Sequence, residues 1–223
     1  MIFGMPEGES IMSSSSLKIV ACAAMLLDHV AWTWFSVSSP VGIVMHIIGR
    51  ITMPVMAFMI AEGYVHTHDI TRYVVRLLVF AIISDFPFIL FERSTIRHDV
   101  IFTLLFGLLA IWILDSRIPI FFRYILVAFF LIFSLCFDWV FIGVLLCVFF
   151  WRFRGNFLGV SFSVVLCSIL AAIIFGQWWQ LGMILSLPLL YLYNGSRGNS
   201  SKWGFYIFYP AHLLALSVLR AVI

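Results

Sequence analysis

Long apolar runs fill this chain from about residue 17 onward, each closed by a short cluster of Gly, Pro, Ser, Asn or charged residues. A helix crossing hydrocarbon needs about 20 mostly apolar residues, because its backbone N–H and C=O groups find no water there and must bond within the segment. The runs predict spans at Leu17–Val37, Val41–Ile60, Tyr73–Phe91, Val100–Leu114, Ile118–Phe137, Val140–Trp151, Phe157–Phe175, Trp178–Tyr193 and Phe205–Val222. These make nine helices, with eight to ten possible, because the fourth, sixth and eighth runs are short.

Composition points the same way. The 223 residues are 64% hydrophobic and 10% charged, with a mean hydropathy of +1.13. Soluble domains average about 45–50% apolar and about 25% charged residues. The expected class is therefore all-α: a polytopic transmembrane bundle forming one domain over 17–223, after a flexible, Ser-rich cytoplasmic tail over 1–16. The loops are short, so any chemistry takes place at membrane depth. A net charge of +3 implies no nucleic-acid partner. Cys22, Cys136, Cys147 and Cys167 sit in apolar runs without C-x-x-C or metal spacing, so they read as packing residues and no metal is expected. Trp178 and Trp179 with Gln180, and Tyr191 with Tyr193, fall at span ends and fit interfacial aromatic belts.

With nine spans, one side collects Lys18, Arg72, Arg76, Arg117, Arg123, Arg152, Arg154, Arg197 and Lys202, the other only Arg93, Arg97 and Arg220. Cytoplasmic loops carry the excess of Lys and Arg, so the N-terminus is expected in the cytoplasm and the C-terminus outside.

Against this background the ionisable residues stand out, since a charge near the bilayer centre costs a few kcal/mol or more and such groups face the protein interior. Asp28 lies about 16 Å into the first span at 1.5 Å per residue, with His29 directly after it. One reading makes His29 a general base oriented by the Asp28 carboxylate. The other pairs Asp28 with Arg50 to lock two helices. Neighbouring helical residues point about 100° apart, so Asp28 and His29 need not touch. His46 and Arg50 are one turn apart in the second span, and Pro54 follows. Glu62 and His66 repeat that spacing near the cytoplasmic end, next to Arg72 and Arg76. Asp85 sits deep in the third span; His98, Asp99 and Thr103 mark the outer mouth of the fourth, and Asp138 the outer loop before the sixth. His212 is a second deep histidine and a rival for the role of base. The residues trace a path from a basic vestibule, with Arg152, Arg154 and Lys202 beside Arg72 and Arg76, through an ionisable centre to an outer mouth. No nucleotide-binding Gly-rich loop, zinc-protease motif or nucleophile elbow is present.

At these same positions the chain resembles the TraX family of bacterial integral membrane proteins, named for the F-pilin acetylase of conjugative plasmids. The matching residues are Lys18, Asp28-His29, Ile48-Gly49-Arg50, Pro54, Glu62-Gly63, Thr67, Tyr73, Arg76-Leu77, Ser84 to Phe88, Val100, Phe102-Thr103-Leu104, Gly107-Leu108, Tyr193-Asn194-Gly195, Gly198 and Phe205 to Leu213. They run in order over about Leu17 to Leu216. The departures are Asp99 for an asparagine, Asp85 for a glutamate and Trp139 for a tyrosine.

The resemblance implies an N-acetyltransferase of the bacterial inner membrane that moves an acetyl group from cytoplasmic acetyl-CoA, as substrate, to an acceptor: a pilin N-terminus, another small membrane protein or a surface glycan. It holds no permanent cofactor. On that expectation His29, Asp28 and Arg50 are catalytic, and Arg72, Arg76, Glu62 and His66 bind the acyl donor. His46, Asp85, His98, Asp99, Thr103, Asp138 and His212 line the acceptor side. Two other readings stay open: a small proton-coupled transporter, and a non-enzymatic pilin assembly factor whose buried charges only join helices.

Overall fold

The computed structural model describes residues 12–93, 98–199 and 202–222. Most of the expected 1–16 tail, Arg97 and the side chain of Lys202 lie outside the described residues. The described chain is all helical apart from two isolated bridges, Met12 with Tyr193 and His98 with Phe137. Its α-helices are α1 (Ser14–Trp34), α2 (Pro40–Gly49), α3 (Thr52–His66), α4 (Ile70–Glu92), α5 (Val100–Asp115), α6 (Ile120–Phe133), α7 (Val140–Arg152), α8 (Phe157–Phe175), α9 (Ser186–Tyr191) and α10 (Lys202–Val222). Each predicted span is helical over most of its length, and several boundaries carry a local cause. Ser13, Ser39, Asp69, Asp99 and Asn156 are N-caps whose side chains accept from a backbone N–H three residues on. Gly176 ends α8 in the left-handed conformation, φ 65°, where a residue without Cβ carries no strain.

Two spans differ in form from the expectation. The second is broken at Arg50–Ile51, between α2 and α3. Pro54 is the cause: it has no N–H to donate to the Arg50 carbonyl four residues back, and its ring crowds that oxygen. The eighth is not a regular helix but a 3-10 segment over Trp178–Leu185 that passes into the short α9. Runs of 3-10 helix beyond three or four residues are uncommon because their hydrogen bonds are poorer. Here close packing accompanies it: a Cβ on Gly182 would meet the Ile47 carbonyl oxygen at 2.3 Å.

The chain forms two compact units, Met1–Met56 with Phe153–Ile223, and Ala57–Arg152. In the first, α1 packs on α2 and α10, while the 3-10 segment packs on α2 and α8. The second is built around α5, which touches α4, α6 and α7. Its core includes Phe106, Ala110, Phe137 and Val144, with Phe102 and Phe130 packed against them.

Apolar side chains also face outward on every long helix: Ile82 and Phe86 on α4, Ile173 on α8, Val218 on α10. In α6 no residue is buried, and Phe121 and Ile132 are each 68% exposed. Soluble monomers rarely expose so continuous an apolar surface. Five helical stretches are also long and apolar enough to cross a bilayer: Ser14–Trp34, Pro40–His66, Ile70–Glu92, Phe157–Phe175 and Gly204–Val222. The molecule is a membrane protein, and lipid covers these faces.

Candidate functional site

Asp28 sits in the middle of α1 and is buried. Its Oδ1 accepts from His46 Nδ1 at 2.8 Å, and its Oδ2 accepts from Arg50 Nη2. His46 and Arg50 reach the same carboxylate because they are one turn apart on one face of α2. Gly49 lets the two helices meet there, since a Cβ at that position would lie 2.4 Å from the Asp28 Cβ. The second Arg50 nitrogen, Nη1, donates to Gln180 Oε1 at 3.5 Å, and Gln180 Nε2 donates to Gln177 Oε1 at 3.0 Å. His46 is wholly inaccessible, with its ring 4.6 Å from that of Trp32 and 5.8 Å from that of Trp179.

The hydrogen bond sets the tautomer. The Asp28 carboxylate can only accept, so His46 Nδ1 carries a proton, and in the neutral imidazole Nε2 then carries the lone pair. That Nε2 has no hydrogen-bond partner among the described residues, and neither does the buried Trp179 Nε1. Buried polar atoms are ordinarily paired, so two orphaned atoms on neighbouring rings single this place out.

His29, next to Asp28, is joined to α10. Its Nδ1 lies 2.8 Å from His212 Nε2, and His212 Nδ1 donates to the Phe208 carbonyl at 2.8 Å. With the His212 proton committed to Nδ1, its Nε2 is the acceptor and His29 donates from Nδ1. The histidine that the Asp28 carboxylate holds is therefore His46, while the histidine partnered with His29 is His212.

The remaining expected residues gather in the second unit. Asp85 accepts from His98 Nδ1 at 2.9 Å and from the Asp99 backbone N–H at 3.3 Å. Asp99 caps α5 and is fully buried. Burial pushes its carboxyl up to about 8, and the Asp85 and Asp138 carboxylates add to the rise. Thr103 donates to the Asp138 carbonyl, and the Asp138 N–H donates to the His98 carbonyl at 2.9 Å. At the α3–α4 corner Glu62 is buried, His66 Nδ1 donates to the Glu62 carbonyl at 2.8 Å, and Arg76 lies 5.1 Å over the Tyr73 ring. Arg72 is largely exposed and pairs with Asp69 at 2.9 Å. No group of three His, Cys, Asp or Glu is placed to hold a metal ion among the described residues.

Gln180 and Trp179 were assigned above to an interfacial belt. Their packing against Arg50 and His46 corrects that reading for these two residues. The available signal was a glutamine inside an otherwise apolar run, a residue that lipid does not accommodate without a partner.

The model of a protein family described as TraX protein matches residues 13–220. A curated relative from Dichelobacter nodosus, described as "Probable fimbrial assembly protein FimC, serogroup H1", is 28% identical over 234 residues, covering 92% of this chain and 94% of its own. No solved structure gives a significant match.

Proposed function

The chain belongs to the TraX family, and from that membership and the buried Asp28–His46 pair we propose that it is a membrane-embedded acetyltransferase taking the acetyl group of acetyl-CoA. The observation that supports this most is a fully buried imidazole whose Nδ1 is held by a carboxylate and whose Nε2 is bare. That is the arrangement a general base requires: one nitrogen fixed, the other basic and aimed away from its holder.

His46 Nε2 takes a proton from the neutral acceptor amine as its nitrogen attacks the thioester carbon. The C–N bond forms, the C–S bond breaks, and the proton passes to the departing thiolate. Arg50 pairs with the Asp28 carboxylate beside His46. His29 and His212 serve as a proton relay beside the site. The name of the D. nodosus relative refers to fimbrial assembly; it favours a small pilin-like subunit as acceptor. The inner membrane is the proposed location, with the N-terminus in the cytoplasm.

The test uses purified protein in vesicles, acetyl-labelled acetyl-CoA, and a synthetic single-span peptide with a free amino terminus as acceptor. Label is expected on the peptide's first residue, with one CoA thiol released per transfer. If neither label nor thiol appears, the reading gives way to an assembly factor without chemistry of its own.

A further inference from the structure

Trp179 has no part in the reading above, yet it carries an orphaned polar atom beside that of His46. Its indole N–H is buried and without a hydrogen-bond partner among the described residues. The ring lies 5.8 Å from that of His46 and within 23° of parallel to it. It stands on the 3-10 segment, which packs on α2. In this segment Trp179 lies against His46 and Gln180 bonds Arg50. One orphan is a donor and the other an acceptor. A water or a ligand that satisfies both must offer an acceptor to Trp179 and a proton to His46.

We propose that Trp179 is a catalytic residue whose indole N–H binds the carbonyl oxygen of the acyl donor, while His46 Nε2 faces the attacking nucleophile. The ligand class is a thioester or comparable activated acyl group, together with a neutral amine or hydroxyl nucleophile. As the nucleophile attacks, the carbonyl π electrons move onto oxygen, and the Trp179 N–H stabilises that developing charge. When the C–S bond breaks, the electrons return to re-form the carbonyl and the proton taken by His46 goes to sulfur. A donor held in place before the reaction, in a site without bulk water, stabilises an oxyanion far better than it would in solvent. The inference rests on the acyl-transfer reading.

Two variants separate the N–H from the ring. Trp179→Phe keeps an aromatic face against His46 and removes the donor; Trp179→His restores a ring N–H. With acetyl-CoA and the single-span peptide, Trp179→Phe is expected to lower kcat about 10²-fold, the usual effect of losing one oxyanion donor. The KM for acetyl-CoA should change little, and Trp179→His should recover at least part of the loss. Each variant's thermal transition in detergent is recorded alongside. Trp179→Phe working at the wild-type rate would overturn the inference while leaving acyl transfer standing. So would equal losses in the two variants, which would show that ring packing alone matters. A wild-type protein that transfers no acetyl would remove the underlying reading, a result visible before any variant is compared.

Discussion

Protein carrying Asp28→Ala is expected to lose about 3–5 kcal/mol of stability, the usual cost of removing one partner from a buried ion pair. Two groups would be stranded by that change. Arg50 would keep its charge inside the bundle, and His46, wholly inaccessible, would lose the acceptor for its Nδ1–H. Replacing both ends with apolar side chains has a different sign. Asp28→Leu with Arg50→Met removes the charges together, and such replacements are often neutral or stabilising where volume is preserved. The double variant should therefore recover part of the lost stability, leaving about 1–3 kcal/mol for the unsatisfied His46 donor, and it should transfer no acetyl. Unfolding in detergent with increasing SDS reads both. A single variant as stable as wild type would mean that Asp28 and Arg50 do not hold each other.

Loss of the base should be the largest kinetic effect. His46→Gln keeps an N–H donor for Asp28 but has no basic nitrogen, and general-base removal costs about 10²–10⁴ in rate. The KM for acetyl-CoA should stay near the wild-type value, because the lost interaction belongs to the transition state. His29→Gln interrupts the relay to His212 and not the base itself, so its loss should be the smaller of the two. The opposite order would move the base to His29 and leave His46 as a packing residue.

Much of this was legible in the residues. An Asp28–Arg50 pair joining two helices was one of the two readings open to the sequence, and the structure pairs them. The i, i+4 relation of His46 and Arg50 already implied that a carboxylate reaching one could reach the other. Sequence adjacency drew attention instead to His29, although successive helical side chains diverge by about 100°. His212 stood out as a deep histidine, but only coordinates place it 2.8 Å from His29. Hydropathy measures the oil content of a segment and not its winding, so the apolar run from Trp178 read as a helix like the others. The 3-10 segment that holds Trp179 and Gln180 packs closely on Ile47, more than a hundred residues away in sequence. Pro54 is visible in the second span, and the break there lies beside it.

The most direct measurement is the nitrogen-15 spectrum of the histidine rings in the purified protein, followed with pH into the range where His46 is neutral, with the His46 signals assigned by their loss in His46→Gln. A proton on Nδ1, held by Asp28, with an unprotonated Nε2 is the expected result. A proton found on Nε2 would contradict it, for the imidazole would then have no lone pair facing the place where the acceptor's proton must be taken.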